Sequence, residues 1–315
     1  SSIATQPPPT IAYEGFMDAQ AAAQRLLTIY RRNTQFIQEN FMHCMQNGFP
    51  EGVRFRACYP SIRIRVDTYQ EVDSRLSYGH VVEPGFYAST ITQPDLFFDY
   101  LVEQIGLLIK NHSVAVEIGE SSQPIALHFC LGPNAGQEAM YPESSGHSLR
   151  DHFDVPDLAH MDDAIVNGTW QPKSGEPLHL APFTAPRVDY SLHRLQHYTA
   201  TRPANFQNFV LFTNYQFYVD EFCAWAKSML AEGKGGYTAL VEPGNVMTYV
   251  GGHTEGAPPT RQPQMPSYHL MRDKHSGITL INIGVGPSNA KTITDHVAVL
   301  RPSAWLMLGH CAGLR

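Results

Sequence analysis

The first part of the chain alternates between helical and strand-like hydrophobic patterns. Apolar residues recur at helical spacing over residues 16–46, which predicts one long amphipathic helix that Gly48 can end. Residues 61–66, SIRIRV, alternate strictly between apolar and charged side chains, and this period is typical of a half-buried strand. Residues 85–92 predict a neighbouring strand. Pro94 suits the first turn of a second helix, because its missing N–H would be unpaired there.

That second helix is predicted to run over residues 95–111, and two further strands are predicted at residues 113–118 and 125–130. Together these elements favour an α+β unit, with long helices on a mostly antiparallel sheet. The pattern then dissolves over residues 131–186, where Gly, Pro, Ser and Asp predominate, and this stretch predicts a connecting region that could hold short helices.

The second part of the chain alternates between strands and helices. A strand of bulky residues at 208–213 is followed by a helix that Gly233 can end, and the segment 277–308 predicts a β-α-β unit. Strands are also predicted at residues 237–242, 245–250 and 267–273, before a tight turn at 274–277. This order favours an α/β domain whose sheet contains parallel strands.

The length of 315 residues exceeds what one hydrophobic core usually organises, so two domains are expected. We predict a flexible lead-in at residues 1–15, an α+β domain with its connecting region at 16–180, and an α/β domain at 181–315.

Charge and composition narrow the function classes. The formal net charge is −7 and the pI about 6.1, so the chain lacks the basic excess that usually drives nucleic-acid binding. No apolar run is long enough to span a bilayer, and five scattered cysteines without CxxC spacing favour a reduced, cytoplasmic protein. A small polar ligand is the expected partner.

Two glycine turns are candidates for a ligand site. Gly284 and Gly286 follow a predicted strand and precede a helix, where backbone N–H groups can meet an anion. Gly309 follows the next strand in the same way, at the edge where open α/β sheets bind ligands. The sequence lacks a P-loop and a full dinucleotide fingerprint, so a purely structural turn remains an alternative.

Histidine and aspartate are dense between His147 and Asp163, but their spacing matches no known metal site. We therefore predict a polar loop there, no metal and no catalytic cofactor.

Three long motifs carry a family resemblance: the closing stretch GITLINIGVGPSNAKTITDHVAVLRPSAWLMLGHCAGLR, RVDYSLHRLQHYT and FVLFTNYQFYVDEF. They resemble the bacterial AMP nucleosidases, of the nucleoside phosphorylase and nucleosidase superfamily. The resemblance implies hydrolysis of AMP to adenine and ribose 5-phosphate. It also implies an N-terminal regulatory domain followed by a catalytic α/β domain. It also implies a hexamer, with Mg-ATP as activator and phosphate as inhibitor.

The resemblance and local charge together suggest where substrate binds. Arg187, Arg194 and His197 are candidates for the 5′-phosphate, although helix-surface solvation remains open for them. The remaining candidates lie after the predicted strands: Asn214, Tyr215, Gly284, Val285, Gly286, His310, Cys311 and Ala312.

The strand before Gly309 departs from the phosphorylase pattern. The phosphorylase branch has Arg and Ser where this chain has Met307 and His310, so its clamp for inorganic phosphate is missing. Hydrolysis is therefore favoured over phosphorolysis.

The catalytic residues cannot be named from this chain. The superfamily's carboxylates lie in Met-Glu and Ser-Asp motifs, and neither dipeptide occurs in the sequence. We expect that the chain lacks the last part of the catalytic domain. The alternative function is a regulatory fragment that binds nucleotide without turning it over.

Four arginines of the N-terminal domain could receive anionic effectors, with strand-surface solvation as the alternative. They are Arg54, Arg56, Arg63 and Arg65.

Overall fold

The computed structural model describes residues 8–67, 83–131, 149–157 and 163–309. It divides the chain into two compact units, Ser1–Tyr190 and Ser191–Arg315. The boundary therefore lies later than residues 180 and 181, where the sequence suggested it. It falls within helix α4, Ala185–Thr199.

The first unit contains a five-stranded sheet in the order β1-β4-β2-β3-β5, in which only the β3–β5 pair is parallel. The prediction of a mostly antiparallel sheet is confirmed. Its strands are β1 (Glu14–Phe16), β2 (Cys58–Val66), β3 (Gly85–Thr90), β4 (Val116–Pro124) and β5 (Leu178–His179). Its other helices are α1 (Ala19–Asn47), α2 (Phe98–His112) and α3 (Leu127–Cys130).

Helix α1 is the long amphipathic helix that the periodicity predicts. The Asp18 side chain caps its first turn by accepting a hydrogen bond of 3.1 Å from the Gln20 amide. Gly48 ends the helix with a φ of 91°, which favours glycine. The helix packs against α2, β2 and β4, and its apolar face enters two clusters of buried side chains.

Two sequence predictions in this unit need correction. Residues 125–130 do not form a strand: β4 ends at Pro124, and Leu127–Cys130 forms a helical turn whose buried side chains Leu127 and Cys130 fill a core cluster. An apolar run this short does not distinguish a strand from a buried helical turn. Residues up to 15 were left outside the fold, whereas Glu14 and Gly15 belong to strand β1, which pairs with β4.

The second unit contains a seven-stranded sheet in the order β12-β6-β11-β10-β7-β8-β9. The neighbours β12, β6 and β11 are parallel and the other pairs are antiparallel, so the prediction of a sheet containing parallel strands is confirmed. The strands are β6 (Phe209–Thr213), β7 (Tyr237–Glu242), β8 (Val246–Tyr249), β9 (Thr254–Glu255), β10 (Ser267–Arg272), β11 (Ile278–Asn282) and β12 (Ala304–Leu308). The helices that begin in this unit are α5 (Gln216–Glu232) and α6 (Pro287–Val297).

A polar network is buried within the second unit. The His269 ring contacts Thr279 Oγ1 at 2.7 Å through Nδ1, and Thr201 Oγ1 at 2.8 Å and Ser267 Oγ at 3.0 Å through Nε2. All four side chains are fully buried. Burial lowers the pKa of His269 to about 3, so the imidazole is neutral at physiological pH.

The thiols of Cys44, Cys58, Cys130 and Cys223 are free. No helix among the described residues is long and apolar enough to cross a membrane.

Candidate functional site

The strand order brings three chain segments to one edge of the second sheet. Strands β12, β6 and β11 are adjacent and parallel, so their carboxyl ends lie side by side. Asn214 follows β6 directly, and Gly309 follows β12. A Cβ atom on Gly309 would lie 3.7 Å from Asn214 Oδ1, which is van der Waals contact, so Gly309 and the Asn214 amide are neighbours at this edge. This edge is where ligands bind in open α/β sheets.

The turn after β11 forms the second side of this edge. Gly284 and Gly286 have φ angles of 67° and 120°, which non-glycine residues rarely adopt. The turn is fixed by two bonds: Gly284 N donates to Asn282 Oδ1 at 3.1 Å, and Asn289 Nδ2 donates to Ile283 O at 3.0 Å. The first turn of α6 therefore begins at this edge, where its free N–H groups can bind an anion or a polar ligand atom.

The segment after β6 adds polar and aromatic side chains. Asn214 is exposed, and Tyr215 precedes α5 with its ring edge-on to Tyr218 at 5.9 Å. Thr213 fixes the positions of this segment and of the turn after β11. Its Oγ1 accepts a hydrogen bond from Tyr215 N, and its carbonyl accepts one from Ile283 N. An exposed amide beside an aromatic ring can hydrogen-bond and stack on a heterocyclic ligand.

Helix α4 brings a cation towards the same end of the sheet. Arg194 lies over the Tyr198 ring at 4.5 Å and donates to its hydroxyl. The Tyr198 carbonyl accepts from Met265 N at 2.9 Å, and the next residue, Pro266, accepts from Asn282 N at 3.0 Å. Because Asn282 ends β11, this chain of contacts ties the C-terminal half of α4 to the carboxyl edge.

Arg194 and His197 differ in how free they are to meet a ligand. Arg194 is half-buried, and its buried Nε has no hydrogen-bond partner among the described residues. His197 is exposed, and its ring lies 5.5 Å from that of Tyr198. Tyr198 therefore stands between the two predicted phosphate-binding residues, and sequence reasoning missed it. The spacing of four residues between Arg194 and Tyr198 on one helix face was the available signal.

Four of the predicted residues are not part of this cluster as described. Arg187 belongs to the first unit, where it forms an ion pair with Asp163. His310, Cys311 and Ala312 lie outside the described residues. Val285 belongs to the glycine turn and is 89% exposed.

The four arginines predicted to receive effectors have different surroundings. Arg54 and Arg56 both bind Asp154, whereas Arg63 binds Glu117 and lies over the Tyr13 ring at 3.6 Å. Arg65 lies over the Phe86 ring at 4.9 Å. The described part of the chain holds no group of three or more His, Cys, Asp or Glu side chains that could bind a metal, and residues 147–148 and 158–162 of the stretch from His147 to Asp163 lie outside it.

Comparison with known proteins gives one consistent family. The family profile described as "Bacterial AMP nucleoside phosphorylase N-terminus" matches residues 21–177. Proteins named AMP nucleosidase from two strains of Escherichia coli are each 40% identical to this chain over 265 residues, which is 82% of this chain and 53% of the relative. The chain thus spans about half the length of the curated relatives it matches.

A solved structure is also similar in part. The crystal structure of AMP nucleosidase from Bacteroides thetaiotaomicron aligns with 41% of this chain and 42% of its own, with 27% identity and a TM-score of 0.27.

Proposed function

The chain belongs to the bacterial AMP nucleosidase family, and we propose from this that its protein hydrolyses the N-glycosidic bond of AMP to adenine and ribose 5-phosphate. The observation that carries the proposal is the convergence of Asn214, the Gly284–Gly286 turn and Gly309 at one sheet edge, within a chain 40% identical to proteins of that name. This edge supplies a hydrogen-bonding amide, an aromatic ring and a helix N-terminus to a nucleotide.

The reaction explains what each group would do. Cleaving the bond develops positive charge on the ribose and negative charge on the departing purine, so the site must orient both and admit water. Arg194 and His197 would hold the 5′-phosphate, the N–H groups of the turn would meet polar ligand atoms, and Tyr215 would pack against a planar ring. The carboxylates that the family uses have no counterpart that we can name in this chain.

Hydrolysis fits the site better than phosphorolysis. Met307 lies on β12 two residues before Gly309, and the residue is 52% exposed. A thioether cannot form the charge-assisted bonds with which arginine holds free phosphate. Water is therefore the proposed nucleophile.

A second candidate concerns the chain as it stands. The sequence contains neither the Met-Glu nor the Ser-Asp dipeptide of the superfamily's catalytic strands. This observation favours a polypeptide that binds nucleotide without turnover, with activity requiring sequence beyond it.

The setting of the enzyme is also part of the proposal. We propose a cytoplasmic enzyme of purine salvage that assembles as a hexamer. The four cysteines within the described ranges have free thiols, which fits a reducing compartment. Allosteric control by Mg-ATP and phosphate would act through the N-terminal unit, where Arg54, Arg56, Arg63 and Arg65 are the candidate anion-binding residues.

The decisive experiment is adenine release from AMP, measured with this chain and with the protein from the full coding sequence. We expect release from the longer protein, without dependence on phosphate. No release from either protein would overturn the hydrolase, and formation of ribose 1-phosphate would make the enzyme a phosphorylase. Release from the longer protein alone would identify this chain as the binding fragment.

A further inference from the structure

The first unit contains a cavity of about 640 Å³ with a basic wall and an apolar wall. The basic wall carries the guanidinium groups of Arg54, Arg56 and Arg150, together with Asp154 and Asp157. The apolar wall is formed by Pro124, Ala126, Phe129 and Pro156. Such a combination suits a ligand that carries an anionic group on an apolar or planar body.

The basic wall follows from a local sequence pattern. Phe55 and Ala57 are buried, so the alternate residues Arg54 and Arg56 face outwards with side chains that are 40% and 50% exposed. Phe55 stacks on the buried Phe153 with ring centroids 5.3 Å apart. This packing brings Asp154, the next residue, against both arginines.

Asp154 is held by three hydrogen bonds. Arg56 donates through Nε and Nη2 at 2.9 and 2.7 Å, and Arg54 donates through Nη2 at 2.8 Å. Burial alone would raise the pKa of Asp154, but the hydrogen bonds from Arg56 and Arg54 outweigh it, so the net pKa is lowered and the group is ionised. The two arginines are therefore already arranged around an oxyanion that belongs to the protein itself.

Arg150 differs from its two neighbours. Its backbone carbonyl accepts a bond of 2.8 Å from Arg54 Nη1, which fixes the position of Arg54. Its own guanidinium group is exposed and forms no hydrogen bond with the described residues. Among the described residues that line this cavity, three are arginines and two are aspartates, so this part of the lining carries a net positive charge.

We propose that this cavity binds the phosphate group of a nucleotide, with Arg150 making the first contact and Asp154 competing with the ligand for Arg54 and Arg56. A phosphate dianion carries more charge than one carboxylate, so it can replace Asp154 at the fork of Arg56. The apolar wall gives the nucleoside part a surface to cover. Inorganic phosphate shares the charge but cannot use that surface.

This inference rests on the allosteric control proposed above, because the nucleotide bound in the cavity would be an effector of the enzyme. It also reduces the number of arginines that are candidates for binding the effector. Arg63 is occupied on two sides by Glu117 and Tyr13, and neither Arg63 nor Arg65 lines the cavity. Arg150, which was not among the residues selected from the sequence, takes their place.

The test is calorimetric titration of the full-length protein with inorganic phosphate, AMP and Mg-ATP at constant ionic strength. Arg150→Gln should weaken nucleotide binding about tenfold, since it removes one charge-assisted contact. Asp154→Asn should strengthen it, because the isosteric amide competes less for the arginines. Arg32→Gln, which breaks the ion pair between Arg32 and Glu120 outside the cavity, is the matched control and should leave nucleotide binding unchanged.

The outcomes separate the possibilities. If Arg150→Gln weakens the binding of Mg-ATP, with or without a loss for inorganic phosphate, the cavity binds the nucleotide, as proposed. The proposal would be overturned if Arg150→Gln weakened the binding of inorganic phosphate and left nucleotide binding unchanged. Unchanged titrations for both Arg150→Gln and Asp154→Asn, in proteins that melt like the wild type, would also overturn it. Adenine release by the same variants without effector is measured alongside. Arg150-dependent binding without any adenine release would refute the nucleosidase while leaving the cavity proposal intact.

Discussion

The Tyr59 hydroxyl donates a hydrogen bond of 2.6 Å to Oδ2 of Asp189, whose side chain is almost wholly buried in the first unit. Thr92 Oγ1 lies 2.8 and 2.9 Å from the two carboxyl oxygens. Burial raises the pKa of Asp189 to about 7, although hydrogen bonds from Tyr59, Thr92 and Gln93 lower it in part. The carboxyl group therefore changes its ionisation near neutral pH.

The stability of the first unit should fall as pH rises from about 4 to about 7. The folded pKa of Asp189 lies above its ordinary value of 3.8, so folding takes up a proton in this window. The loss amounts to at most about 4 kcal/mol. Asp189→Asn should flatten the dependence, as measured by urea unfolding between pH 4 and 8.

Asp67→Asn is the control for that experiment, because Asp67 is exposed. This variant should keep the wild-type pH profile. An Asp189→Asn protein whose unfolding free energy follows the wild-type curve would show that this carboxyl group does not titrate in the window.

His269 should give the second unit the opposite dependence. Its folded pKa of about 3 lies below the ordinary value of 6.5, so the unfolded chain binds a proton first as pH falls. Stability from this residue is complete above about pH 6.5 and is lost towards pH 3. His269→Gln should reduce that slope, monitored by tryptophan fluorescence, and the exposed His253→Gln should not. Equal slopes in the two variants would refute the buried neutral imidazole.

Asn214→Ala should lower kcat/KM for AMP in the full-length enzyme by roughly tenfold or more, because it removes a hydrogen-bonding group at the carboxyl edge. Asn208→Ala is the matched control, since Asn208 directly precedes the same strand at its opposite end. Steady-state adenine release measures both variants. If Asn208→Ala lowers the rate as much as Asn214→Ala, the pocket has been placed at the wrong end of the sheet.

Arg194→Gln should reduce turnover of AMP by roughly 10- to 100-fold and that of adenosine much less, because only AMP carries the phosphate. Arg202→Gln, an exposed arginine just after the same helix, should affect neither substrate. The ratio of kcat/KM for AMP to that for adenosine is the quantity to compare. A ratio that stays at the wild-type value in Arg194→Gln would remove the phosphate role.

Gly277→Ala should destabilise the second unit by roughly 2 kcal/mol or more, because a Cβ atom there would lie 1.9 Å from the Leu270 carbonyl oxygen. Gly106→Ala is the contrasting change: it lies within helix α2, where a Cβ atom meets only Ala19 at 3.7 Å. It should be neutral or stabilise by about 0.5–1 kcal/mol. Thermal melting compares the two, and equal melting temperatures would contradict the close approach.

The sequence predicted the elements whose periodicity is strong and sustained. Helix α1, the alternation in β2 and the presence of parallel strands in the second sheet follow from spacing and from the order of strands and helices. The helical turn Leu127–Cys130 could not be predicted, because its burial depends on contacts with residues far along the chain. The local hydrophobic pattern does not predict secondary structure where tertiary packing determines the conformation of a short segment.

The candidate site shows the same division. Glycine turns after strands pointed to Gly284 and Gly309. The attachment of α4 through Tyr198 and Met265 could not be predicted, because it joins two segments that are far apart in sequence. Charge alone could not separate Arg63 from Arg54, because their different availability depends on Glu117 and Asp154, which lie far away in sequence.

Helix α1 supplies side chains to both apolar clusters of the first unit. Ala22, Leu26 and Ile29 enter one cluster, while Ile37 and Phe41 enter the other. Because one continuous helix contributes to both clusters, unfolding of either cluster would disturb the other. We therefore expect the two clusters to unfold as one cooperative unit. Backbone amides along the middle of this helix are accordingly expected to be among the slowest in the unit to exchange with deuterium.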